Sequence, residues 1–242
     1  MQITLRNTLG DTVNLDTNGA YVHSLTTSRG KDILFPAQRI GEKLRGGIPV
    51  CAPVFGPGDA VGLKQHGFAR DALWDVLRQS DTELVLTFVA AKDAEIPSAY
   101  RGCVMTYTVK IRENSLFMNL SIENRGEAAF VCSPGFHPYF PTTDATKVVI
   151  QSDVTRQFDT EALAATQFLP PHQERVLIDL DTMKVTIAST TLQRYAVWSA
   201  NPDRYICVEP TWAGNLADQP ELPKLTPGER REFDTTLTWE VL

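Results

Sequence analysis

The sequence predicts an all-β protein, a large antiparallel β-sandwich with a few short helices, and three observations carry that expectation. Apolar residues recur with a period of two, the period at which side chains alternate across a strand. No stretch holds an apolar i, i+3, i+4, i+7 pattern over three turns; the best candidate, Glu161 to Phe168, is short. Proline and glycine fall in the gaps between the alternating runs, and many short strands with turn residues between them pack as a sandwich.

Taken in chain order, Leu84 to Val89 is β-rich, and Met105, Tyr107, Val109 and Ile111 then alternate with polar neighbours. The polar turn Arg112 to Ser115 follows, and Leu116, Met118, Leu120 and Ile122 resume the pattern, which makes the pair a β-hairpin. Lys147 to Ser152, Met183 to Ser189, Tyr195 to Ser199 and Tyr205 to Val208 are further strands. Pro220 to Pro227 is a surface loop, because proline cannot supply the ladder donor of a central strand. The last run is the clearest: Phe233, Thr235, Leu237, Trp239 and Val241 share one face, and Glu232, Asp234, Thr236, Thr238 and Glu240 the other.

Length and composition narrow the function. A chain of 242 residues with 43% hydrophobic and 21% charged residues can bury a real core, and all-β units reach this length as one domain, so 1–242 is read as a single domain. A formal net charge of −6 and the lack of a basic run argue against a nucleic-acid partner. It does not exclude an anionic small substrate, since screening over roughly 8 Å lets a few local arginines outweigh a distant net charge. Cys51, Cys103, Cys132 and Cys207 are far apart and lack zinc-ligand spacing, so they read as reduced, mostly buried thiols. The opening MQITLRNTLGDTVNLDT has no signal-peptide layout and no apolar run approaches a membrane span, which points to a cytoplasmic protein with no membrane partner.

Few residues are placed for chemistry. His66 lies in Gln65-His66-Gly67-Phe68-Ala69-Arg70, and His137 in Gly135-Phe136-His137-Pro138-Tyr139-Phe140; taken alone, each reads as a buried histidine satisfied by a backbone carbonyl. His23 and His172 have no such setting and read as structural or exposed. Glu209 ends the buried-looking strand Tyr205 to Val208, where an unpaired charge is costly, unless the carboxylate is already leaving the core.

Leu44-Arg45-Gly46-Gly47-Ile48-Pro49-Val50-Cys51-Ala52-Pro53-Val54-Phe55-Gly56-Pro57, then Gln65 to Arg70, His137 with Tyr139-Phe140, and Cys207-Val208-Glu209-Pro210 followed by Gly214-Asn215 resemble, in order and approximate spacing, the hexose-6-phosphate mutarotases of the aldose 1-epimerase superfamily. The resemblance covers most of the chain and implies a galactose mutarotase-like sandwich. It implies Glu209 as general base, His137 as general acid and His66 as a second histidine near the ring oxygen. Gln65 joins the substrate-binding set, Arg45 and Arg70 match arginines that bind a substrate phosphate, and Asp153 corresponds to a carboxylate that binds sugar hydroxyls. Ser133-Pro134-Gly135-Phe136 departs from the phosphosugar pattern towards epimerases of broader substrate range.

The implied reaction is an isomerisation that opens and recloses a sugar ring by proton transfer alone. One base and one acid suffice, so no cofactor and no metal are expected, in keeping with the missing GxGxxG fingerprint and metal-ligand spacing. The partner is a small-molecule sugar or sugar phosphate. Two arginines in matching motifs favour phosphate, which a guanidinium grips with two hydrogen bonds. Taken singly, each could be a surface charge or a partner for Asp71. Trp74, Trp198 and Trp212 could stack on sugar faces, though packing in the core is the commoner role. An epimerase of unphosphorylated aldoses and a non-catalytic sugar-binding protein remain the alternatives, and the oligomeric state is left open.

Overall fold

The computed structural model describes residues 1–90, 96–144, 146–172 and 174–242. Its largest element is a nine-stranded sheet in which Val154–Phe158, Lys147–Gln151, Arg175–Leu180, Met183–Ala188, Arg230–Val241, Ser115–Asn124, Cys103–Arg112, Glu83–Val89 and Asp75–Gln79 lie side by side. Every neighbouring pair runs antiparallel. The expected alternation is realised along Arg230–Val241, where Phe233, Thr235, Leu237 and Trp239 are buried. Val241, expected on the same face, is exposed where the strand runs out. The predicted hairpin closes with Arg112 opposite Ser115, and Asn114 takes the left-handed φ of 49° that asparagine tolerates.

A six-stranded sheet covers one face of this layer. Gln167–Phe168, Arg194–Trp198, Tyr205–Thr211, Gly135–Phe136 and Val50–Cys51 follow one another, with Tyr139–Pro141 also paired to Tyr205–Thr211. Phe136, Phe140, Tyr195, Ile206 and Val208 from this sheet share one apolar cluster with Leu120, Ile122, Phe233 and Leu237 from the other. The rings of Tyr107 and Phe136 meet across the layers, 5.8 Å apart. Each large side chain so buried stabilises the sandwich by about 1.5–3 kcal/mol. A third, three-stranded sheet of Gln2–Arg6, Thr12–Asp16 and Tyr21–Thr26 buries Ile3, Leu5, Val13 and Leu15 on alternate positions. Those short N-terminal runs are period-two as well, but at two apolar residues each they are too brief to stand out in the sequence.

Two local expectations are corrected, and a third, the short helix candidate, is met. The Tyr205 strand does not stop at Val208 but continues to Thr211, carrying Glu209 and Pro210 inside the sheet. Proline is tolerated there because the neighbouring chain breaks its ladder. Tyr139–Pro141 pairs with residues up to Cys207, Gly135 pairs with Thr211, and Pro210 falls in the gap between them. Pro220 to Pro227 is not a free loop: Lys224–Leu225 pairs with Phe130–Val131, and Leu225 is buried. The Glu161 to Phe168 segment holds one helical turn, Thr160–Leu163, capped by the Asp159 side chain, and then a two-residue strand.

Candidate functional site

A cavity of about 690 Å³ opens against the six-stranded sheet. That is within the size range of small-molecule sites. Strand periodicity decides what faces it. Along Tyr205–Thr211, Ile206 and Val208 point into the core between the sheets, which turns Cys207 and Glu209 to the other face.

The neighbouring chain supplies the histidine. Tyr139 lies opposite Cys207 and Gly135 opposite Thr211, so the same register carried through the break sets His137 directly across from Glu209. Cross-strand partners share a face, and His137 Nε2 lies 3.5 Å from Glu209 Oε1. Gly135 permits the close approach, since a Cβ there would sit 2.8 Å from the Pro210 carbonyl oxygen and 2.9 Å from the Phe55 ring.

His66 arrives from a loop. It holds a left-handed φ of 66°, uncommon for a side-chain-bearing residue. Two hydrogen bonds to Gly56 hold it: the His66 amide donates to the Gly56 carbonyl at 2.8 Å, and His66 Nδ1 accepts from the Gly56 amide at 3.0 Å. An accepting Nδ1 puts the proton on Nε2. The His66 and His137 rings stand 5.6 Å apart, edge to face.

Burial sets the electrostatics. It raises the Glu209 carboxyl well above the ordinary carboxylate range, with Arg45 pulling partly the other way. Burial also lowers His137 well below an ordinary imidazole, and His66, Arg70 and Arg45 lower it further. His66 is pushed down to about 3 by burial and then by Arg70 and Arg45. At neutral pH His66 is therefore a neutral ring with an N–H to donate.

Arg45, Gln65 and Arg70 border the same cavity. Arg70 donates from Nη2 to the Gln65 carbonyl at 2.8 Å, and Arg45 stands over the Trp198 ring, 5.0 Å from its centroid. The cavity thus joins Arg45, Gln65, His66, Arg70, His137 and Glu209, which come from four separate stretches of the sequence. Asp153 is not among its lining residues. It is exposed in the hairpin turn between Lys147–Gln151 and Val154–Phe158, where Ser152 and Asp153 take φ of 47° and 65°. A two-residue turn with both residues left-handed favours Asp for its backbone alone, which accounts for the residue there without a ligand.

Sequence reasoning left Asp16, Asn18, His23, Tyr139 and Asn215 out of the site, and Trp198, weighed for sugar stacking against core packing, is half-buried and lines the cavity. Tyr139 and Asn215 lie within quoted motifs, so their neighbourhood was a signal. Asp16, Asn18 and His23 come from the N-terminal sheet, and no motif marks them. His23, expected to be structural or exposed, is half-buried and faces the cavity. Trp74 is core, as expected, and Trp212 packs on Phe233.

Among the described residues, one group could offer three ligand atoms to a metal: His137, Cys207 and Glu209, all within 4.8 Å of one another. The donors are poorly suited, because burial raises both the Cys207 thiol and the Glu209 carboxyl and so favours their protonated forms.

Residues 1–179 match the aldose 1-epimerase family model. A Salmonella typhimurium protein provisionally named glucose-6-phosphate 1-epimerase is 28% identical over 165 residues, covering 64% of this chain and 54% of that protein. One of Cenchrus ciliaris with the same provisional name is 24% identical over 71% of this chain and 56% of its own. The chain thus spans about half the length of these curated relatives. Among solved structures, a galactose mutarotase-like protein from Lactobacillus casei superposes with a TM-score of 0.83 at 16% identity, over 99% of this chain and 100% of that one. A galactose mutarotase related enzyme from Lactobacillus acidophilus superposes with a TM-score of 0.80 at 18% identity, over 99% and 97%. These neighbours establish the fold as the galactose mutarotase-like sandwich.

Proposed function

The chain belongs to the aldose 1-epimerase family, and from that premise we propose that it is a mutarotase interconverting the α and β anomers of an aldose, with Glu209 as base and His137 as acid. The observation that carries the reading is the cross-strand pair itself, a carboxylate and an imidazole 3.5 Å apart on the wall of a sugar-sized cavity. Ring opening takes a proton from the anomeric hydroxyl and gives one to the ring oxygen. Both oxygens are bonded to the same carbon, so a base and an acid side by side reach both.

Glu209 accepts the hydroxyl proton while His137 protonates the ring oxygen, and the bond from C1 to the ring oxygen breaks to leave the open aldehyde. Rotation about C1–C2 presents the other carbonyl face. Reclosure returns both protons to their donors, so nothing is consumed. A raised carboxyl is the stronger base and a lowered imidazolium the stronger acid, so each group drives the transfer once the proton that burial leaves on Glu209 has passed to His137, 3.5 Å away. The His66 Nε2–H is a neutral donor for a sugar oxygen. Arg45 and Arg70 on the cavity border support a hexose 6-phosphate, such as glucose 6-phosphate, as substrate. The four free, buried cysteines support a reducing, cytoplasmic setting.

Exchange NMR across free and 6-phosphorylated aldoses tests the activity: cross-peaks between anomers should grow with enzyme concentration, and no exchange with any sugar removes the catalytic reading in favour of a sugar-binding protein. The phosphate has its own test. Arg70→Ala should raise KM for glucose 6-phosphate about 10- to 100-fold, as the loss of a charge-assisted hydrogen bond worth about 1.5–3 kcal/mol requires, with kcat little changed. An unaltered KM, or a parent enzyme that turns over galactose better than glucose 6-phosphate, gives the free-aldose reading instead.

A further inference from the structure

A catalytic histidine is ordinarily oriented by a hydrogen bond on the nitrogen that does not do the chemistry. His137 lacks such a bond to any other described residue. Its buried Nδ1 has only its own main chain to interact with. Aromatic rings surround it instead. Tyr139 lies flat against the imidazole, with centroids 4.7 Å apart and planes within 7°. Trp198 meets it edge to face at 6.0 Å and 88°. Both rings are tied to one cation: Arg45 stands 5.0 Å over the Trp198 face and pairs its guanidinium with the Tyr139 hydroxyl. The Tyr139 ring is itself backed by Tyr205 at 5.0 Å, in a small aromatic cluster with Phe35.

We propose that Tyr139 and Trp198 are positioning residues that set the plane of the His137 imidazole, and that Arg45 locks the two together, so that Arg45 serves the acid as well as any phosphate. The catalytic part of this rests on His137 being the acid; the clamp itself does not. A flat stack fixes the ring plane, an edge contact fixes its tilt, and offset and T-shaped geometries are the favoured ones for aromatic pairs. An arginine over an indole face is held by the ring quadrupole, and the same guanidinium interacts with the Tyr139 phenol. Freeing the ring lets Nε2 swing away from Glu209 and from the sugar, and a misplacement near 1 Å costs about 10²-fold in rate.

The test reads the imidazole and the rate separately. In sugar-free protein labelled with 15N at histidine, His137 is assigned by the signals lost in His137→Asn. Tyr139→Leu should shift the His137 ring nitrogens and lower kcat about 10- to 100-fold with KM nearly constant. Tyr139→Phe keeps the stack but loses the hydroxyl tie to Arg45, so its signals and kcat should fall between those of the parent and of Tyr139→Leu. Arg45→Met should slow kcat for unphosphorylated glucose as well as for glucose 6-phosphate, which a pure phosphate ligand would not do. Parent-like His137 signals and kcat in Tyr139→Leu overturn the clamp, as do Leu and Phe variants that are equally slow. If His137→Asn stays active while Tyr139→Leu still moves the His137 signals, the clamp stands and the acid assignment falls.

Discussion

At the scale of single residues, Glu209 and His137 are neighbours whose environments push their proton affinities in opposite directions. Glu209→Gln keeps the shape and removes the proposed base, and anomer exchange should drop at least about 10²-fold, as for any positioned proton-transfer group. His137→Asn should fall by a similar factor, and saturation-transfer NMR on the preferred sugar measures both. The same shifts carry a stability signature. Glu209 binds its proton more tightly folded than unfolded, so its contribution is full below the unfolded carboxyl value and is lost as pH rises towards the folded one. Glu209→Gln should therefore raise Tm more at pH 8 than at pH 5. The histidines run the other way: with folded values lowered, the unfolded chain takes up protons first as pH falls below about 6.5. His66, at about 3 when folded, loses its contribution between those two values. Thermal melts from pH 8 down to pH 4 should show an acid-side loss of Tm that shrinks in His66→Asn, and an unchanged slope would mean that the ring is not held neutral.

At the scale of elements, the site depends on how closely the chain carrying His137 lies against its neighbours. An alanine at Gly135 would put a Cβ 2.8 Å from the Pro210 carbonyl oxygen and 3.0 Å from the Thr211 Cβ, so one strand must shift. Overpacking of this kind costs about 1–3 kcal/mol. Because His137 is two residues away on the same chain, Gly135→Ala should lose kcat as well as stability, and the two losses can be read from kinetics and denaturant titration. Equal activity at reduced stability would mean that the strand shifts without moving the histidine. The register between Gly135–Pro141 and Tyr205–Thr211 is thus the element-level device that sets a carboxylate beside an imidazole from residues far apart in sequence.

At the scale of the whole molecule, two layers enclose an apolar core in which, among the described residues, the Tyr100 and Tyr107 hydroxyls are both left without a partner. The Tyr107 side chain is fully buried between the sheets, and its hydroxyl has no hydrogen-bond partner among the described residues. An unsatisfied buried hydroxyl costs about 1–3 kcal/mol, so Tyr107→Phe should raise stability towards that amount while leaving anomer exchange unchanged. A drop in the urea midpoint would show that the hydroxyl has a partner after all.

The fold class and most of the sandwich were legible in the sequence, for a plain reason: one face of each long strand is wet and the other dry, and hydropathy records that alternation residue by residue. Phe233 to Trp239, the Met105 to Ile122 hairpin and the Met183 strand were all readable in that way. The motifs around Arg45, His66, His137 and Glu209 marked stretches of chain that the fold brings to one cavity, and their glycines, prolines and aromatics are unusual for ordinary strands. Where a second cause produces the same residue type, the signal failed. Asp153 looks like a sugar ligand and is a left-handed turn residue, and Pro210 looks like a strand end and sits in a ladder gap. What only the tertiary structure decided is which residues meet: the register that sets His137 across from Glu209, the Tyr139 and Trp198 rings around the imidazole, and the arrival of Asp16, Asn18 and His23 from a separate sheet. Hydropathy is a property of each residue against water and is written locally, whereas contact between distant strands is a property of pairs, settled only when the sheets close on their common core.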